Sequence, residues 1–231
     1  TIINELDNYV AAGSAVTIVA AVEDGEAEIA RQCPDIFNQK VAFQQGDTTD
    51  RRTLDALNIP SYNHVIILCS DTLDQQQADA RALITLLHLR DIGDRSGNSF
   101  SIVSEMLDIR NRNLAEVTRA DDFIVSEKLI SLMLSQISEN KELNAVFTDL
   151  FDPEGSEIYL KPASNYVEAG QPLNFYTVVE AARRRGEVAL GYRLKAQETD
   201  ADQAYGVTMN PKKSESVTFS EGDRIIVLAE S

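Results

Sequence analysis

Residues 64–89 read HVIILCSDTLDQQQADARALITLLHL and join two kinds of apolar pattern. The unbroken run at His64–Cys69 is short, apolar and rich in branched residues, which predicts a buried β-strand. The segment after it predicts a helix, because apolar residues recur there at helical spacing, namely Ala82, Leu83, Leu86 and Leu87. A strand followed directly by a helix is the repeating unit of a parallel α/β sheet.

The same alternation extends from residue 1 to about residue 125. Further strands are predicted at Ala15–Ala20, Val41–Gln44, Ser99–Val103 and Asp122–Val125. Helical spacing appears between them, for example at Leu54 and Leu57. The sequence therefore predicts an α/β fold with a Rossmann-like parallel-sheet lobe at 1–125.

A Rossmann-like fold needs a first strand and a glycine-rich turn, and neither precedes the helix that opens this chain. No G-x-G-x-x-G stretch is found there, so a pyrophosphate group lacks its usual binding turn. A helix with Ile2, Ile3 and Leu6, followed by the strand residues Val16–Val19, is typical of the second half of a first βαβ unit. We therefore expect upstream sequence to supply the missing strand.

The pattern changes after Val125. Lys128–Ile137 is apolar around much of its circumference, and a second helical stretch runs from Glu142 to Phe151. This pair predicts a helical crossover and dimerisation element at 126–155. A smaller α+β lobe is predicted at 156–231 from a helix and three strands, at Phe175–Arg183, Ile158–Lys161, Val188–Leu194 and Arg224–Leu228.

Composition and missing motifs exclude several classes of function. The net charge of −16, from 37 acidic and 21 basic residues, disfavours nucleic acid as a partner. Apolar runs end after about five residues, far short of a membrane span, so we expect no direct membrane insertion of this chain. No nucleophile elbow, P-loop or EF-hand loop is present, and we therefore predict that the chain is not an enzyme.

Acidic and polar residues follow the predicted strands, where open α/β sheets bind ligands. The candidate ligand cleft consists of Glu23, Asp24, Gly46, Asp47, Ser70 and Asp71. Other interpretations stay open for each of them. Glu23 and Asp24 also suit a solvated loop, Asp47 or Thr48 suits a cap of the next helix, and Asp71 suits the N-terminal dipole of its helix.

Glu105 is the leading candidate for a metal ligand. It comes just past Ile102-Val103, and a carboxylate two residues beyond a buried strand is close to the ligand crevice. Oxygen ligands without nearby nitrogen or sulfur suit calcium rather than zinc. The sequence predicts Glu105 and Asp71 as candidate Ca²⁺ ligands, with a nucleotide of the NAD type less favoured.

Several stretches together resemble the CASTOR/POLLUX family of ion channels. They are Ser104-Glu105-Met106-Leu107-Asp108, Arg112-Asn113-Leu114, Ser126-Glu127-Lys128-Leu129-Ile130-Ser131, Lys161-Pro162-Ala163 and Gly191-Tyr192-Arg193-Leu194. In that family, the corresponding region is the RCK (regulator of K⁺ conductance) portion. Glu105 aligns with a calcium-binding glutamate of related calcium-gated RCK domains, whereas Leu107 and Ile67 stand where those domains have carboxylates.

The resemblance implies a regulatory domain at the cytosolic face of a membrane. Such a domain follows the pore helices in the native chain, assembles with copies of itself as a homodimer or tetrameric gating ring, and couples a ligand such as Ca²⁺ or a nucleotide to the gating of a cation pore. Two alternatives remain open at this point. One is a stand-alone transport regulator of the TrkA type, and the other is a nucleotide-dependent oxidoreductase on the same fold.

Overall fold

The computed structural model describes residues 2–97, 100–111, 122–198 and 200–230. The chain divides into two compact units, Thr1–Lys141 and Glu142–Ser231. This boundary falls inside the segment 126–155, so the first of its two helices belongs to the first unit and the second helix to the other. Of the stretches that resemble CASTOR/POLLUX channels, Arg112-Asn113-Leu114 lies outside the described residues.

The first unit alternates helices with parallel strands. Its strands are β1 (Ser14–Ala20), β2 (Gln39–Gln45), β3 (His64–Ile67), β4 (Ser101–Met106) and β5 (Asp122–Val125). Its described helices are α1 (Ile2–Tyr9), α2 (Gly25–Gln32), α3 (Arg51–Ala56), α4 (Gln75–Ser96) and α5 (Ser126–Glu139). The predicted parallel α/β class is confirmed, because every strand pair in this unit is parallel.

These strands form two sheets. β1 pairs with β2, while β3, β4 and β5 pair in that order. In the doubly wound strand order, the first strand lies between the partners that correspond to β1 and β3. The break in hydrogen bonding among the described strands therefore falls at the place that this order gives to its first strand.

Helix α4 and the strands β3 and β4 form the core of the first unit. The buried cluster consists of Leu54, Ile59, Ile67, Ala82, Leu86, Leu89, Ile92, Phe100 and Ile102. The predicted stripe on α4 was wrong at Leu87, which is 55% exposed. The leucines of this helix occupy two faces, and the face that packs on the sheet is the one shared by Ala78, Ala82, Leu86 and Leu89.

The second unit is built on antiparallel strands. These are β6 (Ser156–Pro162), β7 (Pro172–Asn174), β8 (Val188–Arg193), β9 (Val207–Met209), β10 (Ser216–Thr218) and β11 (Arg224–Glu230), with helices α6 (Leu143–Leu150) and α7 (Phe175–Arg183). The main sheet has the order β6-β11-β8-β9, and β7 pairs with β10. This arrangement confirms the predicted smaller α+β lobe.

The core of the second unit lies between α7 and the main sheet. Its buried residues are Ala163, Phe175, Val178, Ala182, Ala189, Phe219, Ile225, Val227 and Ala229. Helix α7 begins after Asn174, whose side chain accepts a hydrogen bond from the Thr177 amide at 3.2 Å and so caps the helix. Across the described ranges of both units, no helix combines the length and apolar character that crossing a membrane requires.

Candidate functional site

The loops after β1 and β2 meet at one edge of their sheet. The Gly46 amide donates to the Ala20 carbonyl at 3.0 Å, which joins the ends of the two strands. Glu23 and Asp24 follow β1 and are both exposed. Asp24 precedes α2, and its carbonyl, rather than its side chain, accepts from the Glu28 amide. The structure therefore brings Gly46 to the same edge as this acidic pair.

Asp47 connects this edge to helix α4. Its Oδ1 accepts from the Thr49 amide at 2.9 Å, from the Thr49 hydroxyl at 2.8 Å and from Arg81 Nη2 at 2.6 Å. The hydrogen bonds from Thr49, aided by the charge of Arg81, hold the pKa of the Asp47 carboxyl below its usual value. Asp47 is therefore ionised, and its contacts order the loop.

The prediction that Asp47 or Thr48 caps the next helix, α3, was wrong. Helix α3 begins after Asp50, whose side chain accepts from the Arg52 amide at 2.9 Å. Hydrogen bonds from Arg52 lower the pKa of Asp50 to about 2. Thr48 instead accepts a hydrogen bond from the Thr85 hydroxyl at 3.1 Å.

Ser70 and Asp71 lie in the turn between β3 and α4. The Ser70 and Thr72 hydroxyls are 2.9 Å apart. Helix α4 begins only after Asp74, which caps it by accepting from the Gln77 amide at 3.0 Å, so Asp71 does not open the helix as one interpretation expected. Asp71 is exposed, and its carboxylate forms no hydrogen bond or ion pair with any residue in the described ranges.

Glu105 lies inside β4 rather than beyond it, which corrects its predicted position. Strand β4 extends to Met106, and Glu105 pairs in register with Ile124 of β5. One carboxylate oxygen of Glu105 accepts from the Cys69 amide at 2.9 Å. Strand β3 ends at Ile67 rather than at Cys69, and this side-chain contact replaces a strand hydrogen bond there. Glu105 therefore ties the end of β3 to β4.

Asp79 is a buried carboxylate of this region that the sequence did not lead us to predict. It is fully buried on α4, and its carboxylate accepts from the Leu107 amide at 2.8 Å, the Asp108 amide at 3.0 Å and Asn111 Nδ2 at 2.7 Å. These contacts hold the segment that leaves β4. The sequence signal was present, because an acidic residue stood on the apolar helix face beside Ala78 and Ala82.

Cys69 lies between the two carboxylates. Its Sγ is 3.6 Å from Asp79 Oδ1 and 3.5 Å from the Glu105 carbonyl oxygen. Burial, together with the negative charges of Asp79 and Glu105, raises the pKa of the Cys69 thiol to about 12. At neutral pH the thiol is therefore protonated and carries little of the thiolate form that acts as a nucleophile.

The described carboxylates do not form an assembled calcium site. Calcium takes six to eight oxygen ligands in proteins. Within the described ranges, no group of three or more histidine, cysteine, aspartate or glutamate side chains is placed to hold a metal ion. Asp71 does not contact Glu105, and Glu105 and Asp79 already accept hydrogen bonds from the backbone. A Ca²⁺ ion bound at Glu105 would share this carboxylate with the Cys69 amide.

Helix α5 presents a broad apolar surface. Four of its large side chains are between 48% and 62% exposed, namely Leu129, Ile130, Leu132 and Leu134. Single exposed apolar residues are common on soluble domains, whereas larger exposed apolar patches mark interaction sites. The dimerisation element at 126–155 stays a prediction.

Comparisons with known proteins link the chain to ion channels. It is 32% identical to the ion channel DMI1 of Medicago truncatula over 97% of its own length and 29% of that protein. It is 31% identical to the ion channel POLLUX of Lotus japonicus, with 97% and 28% covered, and 30% identical to the ion channel CASTOR of the same plant, with 90% and 26% covered. The chain thus spans less than a third of each relative.

Among solved structures, the crystal structure of the GsuK RCK domain shares 15% identity, with a TM-score of 0.40 over 94% of this chain and 44% of that chain. The GsuK channel bound to NAD gives a TM-score of 0.39, also at 15% identity, over 94% of this chain and 36% of that chain. No family model matches the sequence. The predicted resemblance is confirmed by the channel relatives: over nearly its whole length, this chain is similar to one segment of the CASTOR/POLLUX-type ion channels.

Proposed function

We propose that this chain is a regulatory domain of an ion channel, that it lies at the cytosolic face of a membrane, and that it couples a bound ligand to pore gating. The observation that carries the proposal is the similarity of 97% of the chain to a single segment of the ion channel DMI1. A non-catalytic role is supported by the protonated Cys69 thiol and by the hydrogen-bonded state of the carboxylates around it. The pore would be formed by another part of the native protein.

A ligand can shift such a domain between two states only if it binds them with different affinities. The contact between Glu105 and the Cys69 amide supplies a physical basis for that difference. A cation bound at the Glu105 carboxylate competes with the Cys69 amide for it, which weakens the contact that holds the end of β3 and the turn that carries Ser70 and Asp71. The ligand would therefore favour the state in which this turn has moved.

Calcium is the ligand to test first, because the carboxylate of Glu105 is the kind of oxygen ligand that calcium takes in proteins. Calorimetry with CaCl₂ should show heat of binding for the wild type and a loss of that heat for Glu105→Gln. Glu221→Gln is the matched control, since Glu221 is an exposed glutamate of the second unit. Absence of heat in the wild type, or equal heat in Glu105→Gln, would remove calcium binding at Glu105 from the proposal.

Assembly with further copies of the chain is the second part of the proposal. The exposed apolar side chains of α5 are its basis, because burying them against a second copy removes them from water. We expect the wild type to sediment as a dimer or larger assembly and Leu134→Glu to shift toward monomer. Gln136→Glu is the control, because it adds the same charge to an exposed polar position of α5. A monomeric wild type at high concentration would contradict this part.

The channel role itself is tested with the full-length protein that carries this chain. Ion flux from reconstituted liposomes should change when Ca²⁺ is added on the side that the domain faces, and Glu105→Gln should reduce the change. Flux that is absent altogether refutes the channel role. Flux that ignores Ca²⁺ in the wild type leaves the channel role standing and refutes only the identity of the ligand.

A further inference from the structure

A cationic cleft lies in the second unit, apart from the carboxylates of the first. It encloses about 170 Å³ and is lined by Arg193, Lys195, Glu198, Gly222 and Arg224. Three cationic side chains thus meet one carboxylate, in a chain whose net charge is −16. Such a local excess of positive charge is unusual in so acidic a protein.

The two arginines oppose each other across the sheet. Arg224 of β11 and Arg193 of β8 are register partners in an antiparallel pair, so their side chains leave the same face of the sheet. Like charges placed directly opposite each other destabilise a sheet. An anion bound between the two guanidinium groups would offset this repulsion.

The partners of the three cations do not neutralise them. Arg193 is 3.9 Å from Glu198, the limit of an ion pair, and its Nε donates to the Tyr205 carbonyl at 3.4 Å. Arg224 Nη1 donates to the Leu160 carbonyl at 3.2 Å. Within the described residues, the Lys195 ammonium forms no hydrogen bond or ion pair. Glu198 is the one carboxylate among the residues that line the cleft, so the lining carries more positive than negative charge.

The backbone fixes these side chains in place. The Lys195 amide donates to Oδ1 of Asp223 at 2.8 Å, and Oδ2 of the same buried carboxylate accepts from the Ser220 amide at 2.7 Å. Gly222 has a φ of +90°, and a Cβ built there would lie 2.5 Å from Lys195 Cδ. The absence of a side chain at Gly222 therefore gives the Lys195 stem the space that it occupies over the turn.

The carbonyl that accepts from Arg193 belongs to an uncommon backbone conformation. Ala204 and Tyr205 have φ values of 49° and 54°, which place two successive non-glycine residues in the left-handed region. Such conformations cost free energy, and they persist where the surrounding structure requires them, often at ligand sites. Here the conformation places the Tyr205 carbonyl against the Arg193 guanidinium.

We propose that this cleft binds a phosphate-bearing anion. A phosphoryl group carries negative charge near neutral pH and so complements the excess of cations that line the cleft, and guanidinium groups bind phosphate oxygens through paired hydrogen bonds. The volume suits a phosphate or diphosphate group, so the remainder of a larger ligand would project outward. Because Lys195 and Arg224 are exposed, binding weakens as salt is added. The anion competes with Glu198 for Arg193.

Inorganic pyrophosphate is the probe, titrated into the 231-residue chain at low ionic strength and followed by amide chemical shifts. We expect saturable shifts at the amides of Lys195 and Gly222, and about tenfold weaker binding in Lys195→Gln and in Arg224→Gln. Lys212→Gln is the matched control, because this exposed lysine pairs with Glu215 elsewhere in the unit. The control should bind as the wild type does.

Thermal melting separates loss of binding from loss of folding. Arg224→Gln removes one of two opposed like charges, so its melting temperature should equal or exceed that of the wild type without pyrophosphate. The pyrophosphate titration contradicts the proposal if the wild-type shifts never saturate, or if Lys195→Gln and Lys212→Gln weaken binding equally. The proposal as a whole is overturned if binding to vesicles that contain a phosphatidylinositol phosphate is also absent or does not depend on Lys195.

A second arm identifies the source of the phosphate. Phosphatidylcholine vesicles with and without a phosphatidylinositol phosphate are sedimented with the chain. Binding that needs both that lipid and Lys195, without a pyrophosphate effect, supports the cleft as a headgroup site. Pyrophosphate binding without vesicle binding supports a soluble ligand. If the chain binds neither pyrophosphate nor the lipid vesicles, the proposed phosphate site is refuted.

Discussion

Replacing Asp79 by asparagine tests whether one buried carboxylate organises the end of β4. Three donors approach it within 3.0 Å, two at Oδ2 and one at Oδ1. The amide nitrogen of asparagine would therefore replace Oδ1 and face the Leu107 amide, which leaves that donor without an acceptor. Losing one charge-assisted hydrogen bond and weakening two others corresponds to about 2–4 kcal/mol.

Native-state hydrogen exchange is the most direct assay, because the loss falls on identified amides. At about 1.4 kcal/mol for each tenfold change, the Leu107 and Asp108 amides should exchange roughly 30 to 700 times faster in Asp79→Asn. Asp71→Asn is the control and should stay within about 0.5 kcal/mol of the wild type, since Asp71 is exposed. Amides of the second unit, such as that of Ile225, report on any global change.

The outcome that refutes the reasoning is specific. If Leu107 and Asp108 exchange at wild-type rates in Asp79→Asn while the protein is folded, the carboxylate does not hold this segment. Equal acceleration at Ile225 would instead show general destabilisation, because that residue lies in the core of the other unit. The hydrogen bonds of Asp79 predict faster amide exchange in the first unit alone, with the largest increase at the residues that follow β4.

Two further predictions concern single side chains. At pH 8, iodoacetamide should label Cys69 about a thousandfold more slowly in the folded protein than in the unfolded chain. The reason is that a thiol pKa of about 12, against the ordinary value of 9.0, leaves correspondingly less thiolate. Equal labelling rates, measured by mass spectrometry, would contradict this prediction. Glu187→Gln should destabilise the second unit by about 1–3 kcal/mol in urea unfolding, because the Glu187 carboxylate accepts from Lys161 Nζ at 2.8 Å and from the Tyr166 hydroxyl at 2.5 Å. Burial alone would raise the pKa of Glu187, but the hydrogen bonds from Lys161 and Tyr166 hold it below its usual value. The stabilisation is therefore present above the pKa of Glu187 in the unfolded chain and is lost as pH falls through its lower pKa in the folded state. A difference in unfolding free energy between wild type and Glu187→Gln that persists in strong acid would contradict this role of the Glu187 carboxylate.

Much of the fold could be predicted because hydrophobic periodicity is a local property. The run at His64–Cys69 predicted β3, since a short branched apolar stretch suits a strand buried in a parallel sheet. Periodicity could not select the buried face of α4, where leucines occur on two sides. That choice depends on which side meets β3 and β4, a contact between segments distant in sequence.

The contacts of the site were harder to predict, because several residues of a suitable type could make each contact and only the folded backbone decides which of them does. Asp47, Thr48 and Asp50 are all good capping residues, and only the extended backbone of Asp50, with ψ of 116°, decides which one caps α3. Asp79 escaped notice for a related reason. Two of its three partners are backbone amides after β4, which any sequence supplies, so an acidic residue on the apolar face of α4 indicates burial but does not reveal these partners.

The order of strands in the second unit has a consequence for how the chain folds during synthesis. Strand β11 leaves the ribosome after the other strands of this unit, yet it lies between β6 and β8, with Ser156 opposite Glu230. Its residues Ile225 and Val227 are fully buried in the core. Until β11 emerges, β6 and β8 have no shared partner and their apolar faces stay open to chaperones and to aggregation. The first unit meets no such delay, so we expect the two units to acquire protease resistance in sequence, with the second one only after translation of β11 is complete.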